Sequence, residues 1–246
     1  MRVIATIEAR MSSTRLPGKV MLCLAGKPMI ERKLDRVKRA LSVHSIKVLT
    51  SIESENKIIS DFCNQKNILC FEGSEDDILD RILKGTMTEN ADVVVQLTGD
   101  NPLIEPKLID DCVNYLLDNK LDYVSNSISQ RLVIGLNVRC FTRDALSRAS
   151  RLCSNPMLRV HGGYFIQTLP EEFKIGENPV DKRFLRDDIR LTVDEPSDFK
   201  LVEQIFLRLE KINKAFSAED ILLLLDSEPD LKELNKSVRQ KDVGEG

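Results

Sequence analysis

Residues 7–19 gather three cations (Arg10, Arg15, Lys19) and three hydroxyls (Ser12, Ser13, Thr14) around a Pro17-Gly18 turn. They follow a very short apolar run, residues 3–7, that reads as a strand. A strand that empties into a small-residue, cation-rich loop can cradle a polyphosphate. Backbone N–H groups and hydroxyls bind the oxygens, and Arg and Lys offset the charge. A solvated basic loop has the same composition, so the loop alone leaves both readings open.

Two aspartates extend the first reading. Asp100 lies in Thr98-Gly99-Asp100-Asn101-Pro102, after the most apolar strand candidate, residues 91–97. Asp194 ends a second strand candidate, residues 189–193, ahead of Glu195-Pro196. Two carboxylates at strand ends facing a phosphate loop suit Mg²⁺ on a nucleoside triphosphate, because Mg²⁺ takes few protein carboxylates and many phosphate and water oxygens. Either aspartate alone could equally be a turn residue or helix cap. Asp198 reads as a first-turn helix acid.

The elements that would hold these groups alternate. Strands are expected at 46–50, 68–71, 123–126, 136–141 and 173–175. A helix with Pro28 at its first position would turn Met29, Ile30, Leu34, Val37 and Leu41 inward and its charged positions to water. Further helices are expected at 55–65 (Ile58, Ile59 and Phe62 inward), from near the acidic Glu75-Asp76-Asp77, from Pro106, at 142–152, at 159–169 and from about 199. Strand–helix alternation predicts an α/β fold: a mostly parallel central sheet flanked by helices, with ligands outside the carboxyl ends of the strands. The loop at 7–19 and Thr98-Gly99-Asp100 should then share one edge. Beyond 210, two helical pieces with Ser-x-x-Asp cap candidates (Ser217/Asp220, Ser227/Asp230) read as a C-terminal extension, 211–238, on a main domain, 1–210. Residues 239–246 read as a disordered tail.

Composition narrows the class. With 36 Lys and Arg against 39 Asp and Glu, the net charge of −3 gives no basic field for nucleic acid. The longest apolar runs are too short for a membrane span or a secretory signal, so a cytoplasmic chain with no membrane partner is expected. The six cysteines form no CxxC pair, which fits free thiols in a reducing compartment. Neither His44 nor His161 has a second ligand at metal spacing.

Four segments together resemble one family. They are Arg10 to Lys19, Gly73-Ser74-Glu75-Asp76-Asp77-Ile78-Leu79-Asp80-Arg81, Leu97 to Ile104 and Leu191 to Phe199. Their order and spacing are similar to those of the spore-coat-polysaccharide type cytidylyltransferases, relatives of acylneuraminate and 3-deoxy-manno-octulosonate cytidylyltransferases. The resemblance implies a GT-A-like (Rossmann-like) nucleotidyltransferase fold. It implies Mg²⁺, and CTP as donor to a sugar or sugar-acid hydroxyl, with a CMP-sugar for surface polysaccharide and pyrophosphate as products. By matched position it implies nucleotide contacts from Ala9, Arg10, Ser12, Ser13, Arg15, Lys19, Gly73, Ser74, Arg81 and Thr98. Arg15, Lys19 and Asp100 would be catalytic, and Asp100 and Asp194 the metal carboxylates. A homodimer through residues 126–178 is usual in relatives.

The departures fall elsewhere. Where relatives carry Gly-Leu-Asp-Val-Glu-Val-Phe, this chain has Gly135-Leu136-Asn137-Val138-Arg139-Cys140-Phe141. Where relatives carry Arg-Glu-His-Val-Thr-Pro-Tyr, it has Arg159-Val160-His161-Gly162-Gly163-Tyr164. The resemblance implies that both segments line the acceptor pocket, so Asn137, Arg139, Arg159 and His161, together with Asn126, are the candidate acceptor-binding residues, with Arg139 able to meet an acid and His161 a candidate base. Another nucleotide donor, a phosphonate acceptor or a non-catalytic nucleotide-binding role are the competing readings.

Overall fold

The computed structural model describes residues 1–240. Nine strands occur among them: β1 (Val3–Glu8), β2 (Cys23–Leu24), β3 (Lys27–Pro28), β4 (Ser45–Ser51), β5 (Leu69–Gly73), β6 (Val93–Thr98), β7 (Tyr123–Ser125), β8 (Arg139–Thr142) and β9 (Ile175–Glu177). The helices are α1 (Met29–Val37), α2 (Lys57–Gln65), α3 (Ile78–Met87), α4 (Pro106–Asp118), α5 (Arg143–Leu152), α6 (Pro156–Arg159), α7 (Tyr164–Gln167), α8 (Pro196–Leu209), α9 (Ala218–Ser227) and α10 (Asp230–Glu233). Seven strands form one sheet in the order β5-β4-β1-β6-β8-β7-β9; β2 and β3 form a separate hairpin. The sheet is parallel except at β8, which runs antiparallel to both β6 and β7.

The chain leaves β1 for β4 and β5 on one side and returns to β6 on the other. The order thus reverses between β1 and β6, and the crevice at such a switch point is where open α/β sheets take ligands. Glu8 and Thr98 are register partners at the carboxyl ends of these strands, so the two expected loops do leave from the same edge. Alternation along β1 sends Val3, Ala5 and Ile7 into the core beneath α1, α4, α8 and α9. Ile4 joins the opposite core, with residues of α3, α5 and α7. Thr6 and Glu8 continue the Ile4 side.

Several expectations are corrected. Residues 189–193 are not a strand: their ladder is a single bridge, Ile134 to Arg190. The backbone is instead bonded to loops, with Leu191 N–H donating to Ile134 O (2.7 Å) and Val193 N–H to Asp100 O (2.8 Å). Of the helix expected at 159–169 only the single turn α7 forms, because Gly162 stands in the left-handed region (φ 59°) within the turn that follows α6. Pro28 pairs with Cys23 in the hairpin, and α1 begins one residue later. Leu41 lies beyond the end of α1 and is exposed, as is Ile58. Ser217 and Asp220 do form a capping box on α9, whereas Ser227 donates to Leu224 O and does not cap α10.

The largest correction concerns α1. Arg32, Lys33 and Arg36 do not face water; all three are buried. Arg32 donates to Leu24 O (3.0 Å) and meets Glu210 (2.5 Å). Lys33 donates to Asn101 O (3.0 Å). Arg36 donates to Ile104 O (2.8 Å) and Phe216 O (3.0 Å) and lies 3.4 Å from Glu105. Burial of such cations is tolerable only because carbonyls and carboxylates satisfy them.

These bonds tie residues beyond 210 to the main core. Phe216 packs edge-on to Phe206 (5.4 Å between ring centroids) and beneath the Arg36 guanidinium (4.8 Å). Replacing Phe216 with Ala should cost about 3–5 kcal/mol in urea unfolding. An unchanged midpoint would mean that residues 211–238 contribute nothing to the stability of the core.

Candidate active site

The loop after β1 is held at both ends. Ala9 N–H donates to Leu49 O (3.0 Å), and Met11 N–H donates to Asn56 Oδ1 (2.7 Å). Met11 O in turn accepts from Ser13 and Gly18, 2.9 Å each, which draws the loop into a closed turn. Gly18 has φ 68°, so this turn favours glycine at that position, and the next residue, Lys19, opens a short 3-10 turn. The β6 loop approaches even more closely. Gly99 N–H donates to Glu8 O at 2.7 Å, and a Cβ on Gly99 would lie 2.7 Å from that same oxygen.

Lys19 is the point where three segments meet. Its ammonium, on a residue only 9% exposed, donates to Val193 O (2.7 Å) and Asp194 Oδ1 (2.9 Å) and lies 3.5 Å from Asp100 Oδ2. Asp194 Oδ2 is met by Arg15 (2.9 Å) and Arg190 (2.5 Å). Burial works to raise the Asp194 carboxyl, but Lys19, Arg15 and Arg190 outweigh it and hold it below the usual carboxylate range. Asp100 Oδ1 accepts from Thr98 Oγ1 (2.6 Å), whose oxygen accepts from Asn101 Nδ2 (3.0 Å).

Asp198 is fully buried and serves as the expected first-turn acid. It accepts from Asp194 N–H (2.9 Å), Glu195 N–H (3.0 Å), Arg190 Nε (3.0 Å) and Asn235 Nδ2 (2.8 Å). It thus fixes the backbone that presents Asp194. Arg239 O accepts from Arg15 (3.3 Å), and the Gln240 side chain accepts from Arg190. Of the segment expected to be a disordered tail, residues 241–246 lie outside the described residues.

Two cavities open at this junction. One, about 340 Å³, is lined by Glu8, Ala9, Arg10, Ser13, Thr14, Arg15, Lys19, Ile78, Arg81 and Val160 among others. The second, about 380 Å³, is lined by Gln96, Asn101, Gly135, Asn137, Arg139, Thr192 and Gln240 among others. Thr98, Asp100, His161 and Asp194 border both. The first carries the loop cations and has the composition of a phosphate site; the second holds the departures Asn137 and Arg139.

Not every sequence candidate faces these cavities. Ser12 Oγ (2.7 Å) and Arg10 (2.9 Å) both donate to Glu75 Oε1; Arg10 lines the first cavity and Ser12 does not. Gly73 and Ser74 stand behind it. Ser74 O accepts from Arg81 (2.5 Å), and a Cβ on Gly73 would come within 2.9 Å of the Arg81 side chain, so both residues position Arg81. Asn126 lines neither cavity: it is fully buried, donating to Leu136 O (3.1 Å) and accepting from Val138 N–H (2.9 Å). Arg159 lines neither cavity. Its guanidinium is taken by Asp77 (2.7 Å), Ser150 O (3.0 Å) and Cys153 O (2.7 Å), which clamp α6 to α5 and to the start of α3. Asn137 accepts from Gly135 N–H (3.2 Å), and Arg139 lies over the Tyr164 ring (5.7 Å), which His161 meets edge-on (6.2 Å).

Sequence reasoning missed Arg190, which sat inside a supposed strand, and Glu8. A carboxylate ending an apolar strand on the same side as Thr6 was the available signal for Glu8. Burial pushes its carboxyl up from 4.5 to about 7, against the Thr6 hydroxyl bond (2.8 Å) and the charge of Arg81. The folded state therefore keeps a proton that the unfolded chain releases. The resulting stabilisation is fully present below about 4.5 and lost as pH rises through about 7, and amounts to up to about 3 kcal/mol. Urea unfolding across that window should show this slope in the wild type and not in Glu8→Gln; parallel curves would contradict it.

The chain is similar over nearly its whole length to known proteins. The sequence profile of a family described as cytidylyltransferase matches residues 4–233. An uncharacterised protein of Methanocaldococcus jannaschii is 37% identical over 245 residues, covering 100% of this chain and 99% of its own length. Spore coat polysaccharide biosynthesis protein SpsF of Bacillus subtilis is 26% identical over 93% of this chain and 95% of its own. A solved cytidylyltransferase from Leptospira borgpetersenii superposes with TM-score 0.89 at 27% identity, covering 98% of this chain and 100% of that one. Such enzymes are nucleotidyltransferases, and the expected α/β nucleotidyltransferase fold is the fold observed. The chain belongs to the cytidylyltransferase family.

Proposed function

We propose that the protein transfers CMP from CTP to a hydroxyl of a sugar or sugar acid, in the synthesis of a surface polysaccharide. The observation that carries this reading is the junction at Lys19, where a cation-lined cavity and a second, less basic cavity meet over Asp100 and Asp194. Triphosphate in the first and acceptor in the second would bring the hydroxyl to the α-phosphorus. The acceptor oxygen then bonds to that phosphorus, the bond to the bridging β-oxygen breaks, pyrophosphate departs and the hydroxyl proton is released.

Nucleotidyl transfer asks the protein for in-line positioning and charge neutralisation rather than covalent chemistry. Arg15 and Lys19 would offset the charge that builds on the leaving pyrophosphate. His161 borders both cavities and is the candidate to take the hydroxyl proton. Asn137 and Arg139 line the acceptor side, and Arg139 suits an acceptor carrying an acid group.

The donor set fits a hard divalent cation. Asp100 and Asp194 offer carboxylate oxygens that already converge on one positive centre, the Lys19 ammonium. Among the described residues no third His, Cys, Asp or Glu joins them, so phosphate and water oxygens would complete the shell. Asp100 and Asp194 would hold Mg²⁺, which when bound polarises the phosphoryl oxygens. No helix among the described residues is long and apolar enough to cross a membrane.

Pyrophosphate release from CTP and Mg²⁺ with a panel of sugar acids tests the reading. Asp100→Ala should lower the rate roughly 10²–10³-fold, as removal of one charge-stabilising group does. Chelation of the metal should abolish release. Release with UTP or GTP but not CTP would overturn the cytidylyl assignment, and tight CTP binding with no turnover on any acceptor would overturn catalysis. Arg139→Ala should raise the KM for an acidic acceptor while leaving the Kd for CTP unchanged.

A further inference from the structure

Two buried polar atoms beside the nucleotide cavity have no hydrogen-bond partner: Glu8 Oε2 and Arg81 Nε. Their residues line the same cavity on the α3 side of β1, next to Ala9 and Ile78. Glu8 Oε1 is already committed to the Thr6 hydroxyl, and Arg81 Nη1 to Ser74 O. A buried donor or acceptor left unsatisfied destabilises a protein. Two of them, one acceptor and one donor, on residues that line one cavity, call for a partner from outside the chain.

Their chemistry is complementary to one pyrimidine. Cytosine presents an exocyclic amino donor next to ring N3 and O2 acceptors. Uracil replaces the amino group by a carbonyl acceptor, which would face the Glu8 oxygen as acceptor against acceptor. Resting on the assignment of CTP as donor, we propose that Glu8 selects cytosine over uracil by accepting a hydrogen bond from the exocyclic amino group, with Arg81 donating to the acceptor side of the ring. Glu8 is then a specificity residue of the nucleotide site, and its position at the end of β1 follows from strand alternation. Gly99 keeps it close to β6, since only a residue without Cβ allows that loop to pack on Glu8 O.

The test is calorimetric binding at pH 8, above the carboxyl's midpoint of about 7. The ligands are CTP, UTP and the triphosphate of 2-pyrimidinone riboside, which is cytidine without its amino group. The wild type should bind CTP roughly ten- to a hundredfold more tightly than either of the others, the range for one hydrogen bond to a charged group. Glu8→Gln, whose amide can also donate, should shrink the CTP:UTP ratio by about tenfold or more. Glu8→Asp keeps the charge but withdraws the oxygens, and should weaken CTP while leaving UTP unchanged. A wild type with no preference for CTP overturns both the donor assignment and this inference. A wild type that prefers CTP but is indifferent to the amino group, or variants with an unchanged CTP:UTP ratio, overturns this inference alone.

Discussion

The Lys19 ammonium between Asp194 and Asp100 is the interaction on which the rest of the site depends. It joins the loop after β1, the turn after β6 and the extended segment before α8 at one buried point. Each of these segments has its own anchor. Asn56 holds the first, the Thr98 hydroxyl steadies Asp100 in the second, and fully buried Asp198 holds the third. Breaking a buried ion pair by removing one partner typically destabilises by about 3–5 kcal/mol. The arrangement persists because three cations (Arg15, Lys19 and Arg190) meet three carboxylates (Asp100, Asp194 and Asp198) within it.

The fold supplies the rest of the restraint. The sheet reverses order between β1 and β6, so two loops leave the same edge with their strands in register. From below, Lys33 in α1 bonds Asn101 O, next to Asp100. From the side, Asn235, far along the chain, bonds both Arg190 O and Asp198. Residues beyond 210 thus buttress the carboxylate that Arg15 and Lys19 meet.

Much of this was legible before any coordinates. The apolar runs, the Pro-Gly turn and the two Asp-containing turns pointed to the sheet edge and to the groups that meet there. What escaped reading had physical causes. Arg32, Lys33 and Arg36 look like a solvated face, because periodicity cannot reveal that backbone carbonyls from remote loops satisfy them. Residues 189–193 have strand composition, but their hydrogen bonds go to loops. Asn126 and Arg159 carry ligand-like side chains, yet the backbone and Asp77 use them up. For Glu8 the one signal in the sequence is a carboxylate ending an apolar strand on the Thr6 side, and its burial beside Arg81 depends on neighbours remote in the chain.

The central claim is that Asp100 and Asp194 bracket a metal-bound triphosphate whose leaving end lies on Arg15 and Lys19. Crystals grown with Mn²⁺ and a non-hydrolysable CTP analogue test it most directly through the anomalous signal. The account predicts one Mn²⁺ peak within about 2 Å of carboxylate oxygens of both aspartates, as for a hard octahedral ion, with the β- and γ-phosphates against Arg15 and Lys19. A peak remote from Asp100, or a triphosphate bound away from the 9–19 loop, would contradict it.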